Sequence, residues 1–211
     1  MNTTTAVTPL SIDAATLKAA LQRWAQAIDL AAPELNAQDG KLGDGDLGAT
    51  LQKCAANVIA ALPAMPDQLA AILKACAQAC ANASGSSFGT LLAVAFLTAS
   101  KSVATRARLD RAAIAALLGE VLDALRLRGG AKLGDKTMLD SIEAVIEALN
   151  AAPDNADATT LKAGTLNATT AALDRMRQQP NRIGRARMFA QQSIGMDDPG
   201  MVAVQRMAAA L

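Results

Sequence analysis

The chain contains no histidine and no tyrosine, and its only aromatic residues are one tryptophan and three phenylalanines. Without histidine the protein has no imidazole base, no Ser–His or Cys–His nucleophilic pair and no histidine metal ligand. Any chemistry must therefore use carboxylates, hydroxyls, lysine, arginine, backbone amides or a bound metal. The shortage of aromatic residues also disfavours a sheet protein, because strands are usually rich in aromatic and β-branched residues.

Long apolar runs and a strong net charge are missing as well. No stretch of about eighteen apolar residues is uninterrupted, so we expect no membrane span. Residues 1–9 lack the features of a signal peptide and are expected to be a flexible N-terminus. Because 20 basic residues balance 19 acidic ones, without a basic stripe, we expect no nucleic-acid partner. Cys54, Cys76 and Cys80 lie in apolar stretches and are expected to be reduced core residues of a cytoplasmic protein.

Hydrophobic residues make up 52% of the chain and recur at helical spacing in eight stretches. Alanine and leucine supply much of this content, and both favour helices. The connections are short and contain turn residues, as at 63–66 and 152–155, which places successive helices antiparallel. Asp110 and Asp198 are predicted N-caps, and Pro199 suits a first helical turn. The sequence therefore predicts an all-α, up-and-down assembly in one domain spanning residues 1–211.

The first unusual junction is acidic. Asp39, Asp44 and Asp46 fall within eight residues and are interleaved with glycines. Crowded carboxylates favour a bound cation, and hard oxygen ligands suit Mg²⁺. An EF-hand does not fit, because the twelfth position from Asp39 or Asp44 is not glutamate. The alternative is a solvated turn in which Asp46 caps the next helix. Composition alone leaves both interpretations open.

Two further junctions are rich in glycine. Ser86 and Ser87 lie at a predicted helix start, where amides and hydroxyls suit an anion; an ordinary N-cap is the alternative. Residues 129–137 superficially resemble a phosphate loop. Asp135 interrupts that pattern and no strand precedes it, so a Walker A loop is excluded. What remains is a glycine-rich approach to a helix that starts near Lys136.

The fourth junction runs from Gly184 to Gly200. Arg185 in this segment is a candidate phosphate contact, because guanidinium is a cation with several fixed donors. A surface ion pair is the alternative for Arg185, and Arg182 and Arg187 are equal candidates on this argument alone.

Together these junctions resemble DhaL, the nucleotide-binding subunit of bacterial dihydroxyacetone kinases, whose domain also forms the C-terminal part of single-chain dihydroxyacetone kinases. The matching stretches are 35–36, Asp39, 43–46, 85–87, 129–131, 134–140, 184–186, 193–195 and 198–200. The resemblance implies an antiparallel barrel of about eight helices with the nucleotide at one end. We also expect a homodimer.

The resemblance also assigns roles to individual residues. It implies that Asp39, Asp44 and Asp46 hold two Mg²⁺ ions, which bind the phosphates of ADP or ATP. The nucleotide contacts that it implies are Leu47, Gly48, Ala49, Thr50, Ser86, Ser87, Gly129, Thr137, Met138, Arg185, Asp198, Pro199 and Gly200. No motif residue is identified as a general base, so we assign no catalytic side chain.

The implied activity is phosphoryl transfer to dihydroxyacetone or a related small ketose. In the family a separate, DhaK-like subunit holds the keto-sugar on a histidine, and a phosphotransferase-system protein can recharge bound ADP. Two positions depart from the family pattern: Leu47 replaces a usual histidine, and Phe88-Gly89 replaces a usual Gly-Pro. These changes are compatible with another substrate, such as a four-carbon keto-sugar.

Three alternatives stand beside this hypothesis. The first is a non-catalytic DhaL-like protein that binds nucleotide and a transcription regulator. The two departures from the family pattern would then be signs of this regulatory role. The second is a DhaL-like domain of a fatty acid kinase, although that family context brings a chain longer than these 211 residues. The third is a helical bundle without a site.

Overall fold

The protein is described here from a computed structural model that covers residues 10–83 and 85–210. Residues 1–9, which were expected to be flexible, lie outside the described residues. The described residues form eight α-helices: α1 (Ala14–Leu42), α2 (Leu47–Ala61), α3 (Leu69–Ala83), α4 (Ser87–Ser102), α5 (Arg111–Gly129), α6 (Met138–Ala151), α7 (Ala158–Arg177) and α8 (Pro199–Ala210). Short 3₁₀ segments follow α2, at Leu62–Ala64, and lie between α7 and α8, at Arg185–Phe189.

The helices form a closed ring. Each helix packs against the next along the chain, and α8 returns to pack against α1. The helix α6 also contacts α8 directly. The predicted all-α barrel of about eight helices is therefore confirmed. Among the described residues the only β-type pairing is an isolated bridge between Ile12 and Leu109.

The barrel interior is packed with aliphatic side chains and contains one aromatic pair. Trp24 on α1 meets Phe96 on α4 edge to face, with ring centroids 6.2 Å apart. Since α1 and α4 are not neighbours in the ring, this pair crosses the interior. The three cysteines are buried and free, as expected. Burial raises the pKa of Cys76 to about 12, so its thiol stays protonated and unreactive near neutral pH.

Helix ends follow the predicted capping chemistry at several points. Asp110 accepts a hydrogen bond from the amide of Ala113, 2.8 Å away, and Asp198 accepts one from Met201, 2.9 Å away. Both predicted N-caps are confirmed. Thr137 caps α6 in a capping box with Asp140, so that helix starts two residues after Lys136.

Two boundaries differ from the prediction. Helix α1 continues to Leu42, so Asp39 lies in its last turn and not in the following loop. The connection between α7 and α8, residues 178–198, is long, although short connections were expected. Glycine and proline in that stretch prevent one regular helix, and its shape depends on distant residues. Among the described residues, no helix is both long and apolar enough to cross a membrane.

Candidate nucleotide and metal site

The acidic turn brings its three carboxylates together at one end of the barrel. Asp39, Asp44 and Asp46 each offer a carboxylate oxygen, and these oxygens lie within 4.8 Å of one another. Partial burial raises the pKa of Asp46, and the charges of Asp44 and Asp39 raise it further. A divalent cation would relieve this repulsion, and clustered hard oxygens suit Mg²⁺. The residues present therefore fit the metal that the resemblance implies.

Local geometry explains how this turn is built. One carboxylate oxygen of Asp39 accepts hydrogen bonds from the amides of Asp46, at 3.0 Å, and Leu47, at 3.3 Å. Asp39 thus satisfies amides at the start of α2, and the side-chain cap by Asp46 that belonged to the solvated-turn alternative is absent. Gly45 has a φ of 75°, a left-handed conformation that glycine adopts at little cost. The turn thereby leaves Asp44 and Asp46 exposed beside Asp39.

Arg185 lies against this acidic cluster. Its guanidinium group forms an ion pair with the carboxylate of Asp44, and both side chains are largely exposed. The surface ion pair that stood as the alternative for Arg185 is therefore present. Its position is also suitable for the predicted phosphate contact, since Arg185 lines a cavity together with all three aspartates. Neither Arg182 nor Arg187 lines that cavity.

Two adjoining cavities open at this end of the barrel. The first has a volume of about 440 Å³ and a mainly apolar wall that includes Leu91, Leu125, Ala131 and Met138. The second, of about 310 Å³, contains the three aspartates. The cavities share residues from α4, α6 and the α7–α8 connection: Gly85, Ser86, Ser87, Leu91, Thr137, Met138, Ile183 and Gly184. An apolar compartment next to an acidic one offers separate surfaces for the apolar part and the charged part of one ligand.

Most of the predicted nucleotide contacts line these cavities. Gly129 lines the apolar cavity, and Ser86, Ser87, Thr137 and Met138 line both. The acidic cavity is further lined by Leu47, Arg185, Asp198, Pro199 and Gly200. The structure thus gathers at one end residues that are far apart in sequence.

Three predicted contacts lie elsewhere. Gly48 packs on α1, where an added Cβ would come 2.1 Å from the carbonyl oxygen of Ala32. The amide of Ala49 donates to the side-chain oxygen of Asn36, at 3.1 Å. The amide of Thr50 donates to the Asp46 carbonyl, at 2.8 Å. None of the three lines either cavity, and Gly48, Ala49 and Thr50 stay predictions as phosphate contacts.

The two departures from the family pattern both lie at the acidic cavity. Leu47 is buried in the main core and also lines that cavity, so its side chain serves packing. Phe88 is partly buried, packs against both larger core clusters and lines the same cavity. Its ring reaches α8: a Cβ added at Gly200 would lie 3.5 Å from it. Both residues make this part of the wall more apolar.

Asp198 is the most perturbed carboxyl group at the site. Burial raises its pKa to about 6. Hydrogen bonds from the Met201 amide and the Asn181 side chain, together with the nearby charge of Lys136, lower the pKa and only partly offset the effect of burial. The Asn181 amide nitrogen lies 2.7 Å from the carboxylate. At neutral pH, Asp198 is therefore a buried, hydrogen-bonded anion in the wall of the acidic cavity.

Several residues of the site were not predicted. Leu91 and Ile183 shape both cavities, and Arg128 lines the apolar one. Ile183 directly precedes the Gly184-Arg185 motif, so its position in the sequence could have identified it as a residue of the site. Leu91 follows the helical spacing of a core residue, and nothing in the sequence distinguishes it from other leucines of α4.

Comparison with known proteins identifies relatives of this chain among dihydroxyacetone kinases and a D-erythrulose kinase. A DAK2 domain matches residues 41–211. The ADP-binding subunit DhaL of the PEP-dependent dihydroxyacetone kinase of Escherichia coli is 30% identical over 176 residues, covering 82% of this chain and 83% of that protein. The D-erythrulose kinase of Mycolicibacterium smegmatis is 32% identical over 186 residues, covering 86% of this chain but 32% of that protein.

The fold has a solved counterpart. The crystal structure of the dihydroxyacetone kinase from C. freundii in complex with AMP-PNP and Mg²⁺ superposes with a TM-score of 0.73 and 23% sequence identity, covering 99% of this chain and 35% of that one. This likeness shows a shared barrel fold. Together with the DAK2 match over most of the chain and the 30% identity to a DhaL subunit, it confirms the resemblance found in the motifs. The chain belongs to the DhaL family of DAK2-domain proteins.

Proposed function

We propose that this chain is the nucleotide-binding, phosphoryl-transferring subunit of a two-component kinase for a small keto-sugar. The observation that carries the proposal is the acidic cavity. Three carboxylates converge there within 4.8 Å, and the cavity continues into an apolar compartment large enough for an adenosine group. Relatives named as dihydroxyacetone and D-erythrulose kinases support a small ketose as the acceptor.

The proposed roles follow from position. Asp39, Asp44 and Asp46 would hold two Mg²⁺ ions, which would supply charge neutralisation for the nucleotide phosphates. Arg185, which lines the same cavity, contacts the phosphates as a cation with several fixed donors. Ser86 and Ser87, at the start of α4, contact the phosphate side of the nucleotide. The apolar wall holds the base and excludes water from it.

The acceptor must come from elsewhere. Phosphoryl transfer needs charge neutralisation and alignment more than a protein nucleophile, which suits a site without an evident base. In the family a histidine of the substrate subunit holds the keto-sugar, and this chain contains no histidine. We therefore propose that a DhaK-like subunit docks over the acidic cavity in the cytoplasm. The donor is either exchangeable ATP or bound ADP recharged by a phosphotransferase-system protein.

Calorimetry with Mg–ADP tests the site directly. The purified chain should bind ADP in the presence of Mg²⁺, and a chelator should weaken the affinity at least about tenfold. Equal affinity with and without Mg²⁺ would contradict the metal assignment.

A reconstituted assay tests the two-component arrangement. The isolated chain should not phosphorylate dihydroxyacetone or erythrulose, and adding a DhaK-like subunit should restore turnover. Turnover by the chain alone would refute the need for a partner. Intact Mg–ADP binding, with no activity in any reconstitution, would favour the non-catalytic regulatory alternative.

A further inference from the structure

Lys136 has an unusual environment for a lysine. Its side chain has no exposed surface, and it lies in the glycine-rich junction between α5 and α6. The backbone φ of Lys136 is 62°, and it is the only non-glycine residue with positive φ among those the structure describes. Glycine is the residue of lowest cost at such a position. A lysine there indicates that its side chain makes interactions that offset the unfavourable backbone.

Those interactions are three hydrogen bonds from the ammonium group. Its nitrogen lies 2.7 Å from the carbonyl oxygen of Ser193, 2.8 Å from that of Gln179 and 3.3 Å from that of Arg177. An ammonium group has three donors, so its hydrogen-bonding capacity is fully used. The acceptors lie at both ends of the segment between α7 and α8. One buried cation therefore ties the two ends of this segment together.

Further contacts tie the same segment to the Lys136 junction. The side-chain amide of Asn181 donates to the carbonyl of Lys136, at 2.9 Å, and to Asp198. The amide of Arg182 donates to the carbonyl of Asp135, at 3.2 Å. The backbone amide of Asn181 donates to the hydroxyl of Ser193, at 2.9 Å. The segment is thus attached to the α5–α6 junction on both sides of its middle part.

That middle part forms a wall of the proposed site. Ile183 and Gly184 line both cavities, and Arg185 and Ala186 line the acidic one. Lys136 itself lines neither cavity, and its ammonium donors are directed at backbone carbonyls. In a Walker A loop the lysine reaches the phosphates. In the Gly-Asp-Lys-Thr motif of this chain the lysine is directed into the protein instead.

We propose that Lys136 is a positioning residue that holds the 178–198 segment, and through it Arg185, in place at the nucleotide phosphates. The inference deepens the proposed function and rests on it for the identity of the ligand. The ammonium group acts on the nucleotide only through the segment that it fixes. The burial of this cation is compensated by three carbonyl dipoles and the nearby charges of Asp197 and Asp198.

The first test is hydrogen exchange on the nucleotide-free protein. In Lys136→Met, amides of residues 178–198 should exchange at least about tenfold faster, while those of α1 to α4 keep their protection. The matched control is Lys132→Met, because Lys132 belongs to the same junction but is exposed; its exchange should equal that of the wild type. Unchanged exchange in Lys136→Met would overturn the proposal.

The second test is a double-mutant cycle on Mg–ADP binding. Lys136→Met should raise the Kd about tenfold to hundredfold, because the charged hydrogen bonds from Arg185 to the phosphates would be lost with its alignment. In an Arg185→Ala background the same change should cost at most about threefold, since the group to be positioned is gone. Effects that simply multiply would overturn the proposal and indicate independent action, such as a direct phosphate contact.

If Lys136→Met does not fold, Lys136→Arg replaces it, because arginine keeps the charge but cannot direct three donors to the same carbonyls. Failure of both variants to fold would overturn the proposal, since Lys136 would then be required for the whole barrel. If the wild type does not bind Mg–ADP, the proposed function fails, whereas the exchange measurement still decides whether Lys136 fixes the segment.

Discussion

The turn between α1 and α2 spans only residues 43–46, whereas the segment between α7 and α8 spans residues 178–198. Both border the acidic cavity. The turn is shaped locally by Asp39 and glycines, and it leaves Asp44 and Asp46 exposed. The longer segment is held by buried polar groups from outside it, chiefly Lys136.

This difference separates ligand binding from stability. Exposed carboxylates of like charge contribute little to folding, so the turn is available for a cation. The longer segment uses buried hydrogen bonds that must be satisfied in the native state. We therefore expect changes of the exposed turn carboxylates to affect binding alone, and changes in the polar contacts of the segment to affect stability and binding together.

The largest effect is expected for Asp44→Asn. The change removes a proposed metal ligand, so Mg–ADP affinity should fall at least about hundredfold, or about 3 kcal/mol. The free energy of unfolding should change by less than about 1 kcal/mol, because the ion pair with Arg185 is exposed. Calorimetry and urea unfolding measure the two quantities. Asp123→Asn, on the exposed face of α5, is the control and should alter neither.

Gly48→Ala tests the packing that supports the turn. An added Cβ would lie 2.1 Å from the backbone oxygen of Ala32, and backbone cannot move aside as a side chain can. We expect a loss of about 3 kcal/mol in the free energy of unfolding. Gly119→Ala is the matched control, since a Cβ at that helical position meets nothing within 4 Å. It should stabilise the protein by up to about 1 kcal/mol. Equal effects would show that α1 and α2 do not approach so closely.

Asp198 makes the longer segment sensitive to pH. Its pKa is about 6 in the folded state, raised by burial from an ordinary value of 3.8. Between these pH values the native state holds a proton that the unfolded state has lost. The contribution of protonated Asp198 to stability is therefore present below about pH 4 and is lost as the pH rises through about 6. This contribution is on the order of 3 kcal/mol at most.

Urea unfolding between pH 4 and 7 measures this contribution without metal or nucleotide. The wild type should lose stability as the pH rises, relative to Asp198→Asn, which cannot titrate there. Asp154→Asn is a control, because Asp154 is fully exposed in its ion pair. Parallel pH profiles for the wild type and Asp198→Asn would refute the assignment.

The smallest effect is expected for Ser193→Ala. The buried hydroxyl accepts from the amide of Asn181, at 2.9 Å, and donates to the carbonyl of Ala190, at 2.7 Å. Its loss leaves a buried amide without that acceptor and should cost about 1–2 kcal/mol of stability. Mg–ADP affinity should also decline, although less than for Lys136→Met. Ser11→Ala, at an exposed site outside the barrel helices, is the control. A stable Ser193→Ala protein with weaker binding would break the proposed link between stability and binding.

The helical fold and most of the site were predictable because their signals are local. Apolar spacing marks each helix, and Asp110, Thr137 and Asp198 act within one helical turn of their own positions. The clustering of Asp39, Asp44 and Asp46 is also local, since glycines in a short turn leave the chain few ways to separate them. Motif resemblance then predicted Ser86, Met138 and Arg185 as parts of one site.

Other features depended on distances that no short stretch of sequence contains. The close approach of α2 to α1 places Gly48 against backbone and keeps Ala49 and Thr50 out of the cavities. The direction of the Lys136 side chain depends on carbonyls 41 to 57 residues further along the chain. Sequence alone determined the helices, their caps and the grouping of acidic ligands, because neighbouring residues produce them. Tertiary structure decided which amides at the start of α2 remain available to a ligand and that Lys136 faces the protein interior, because both depend on how separate helices pack.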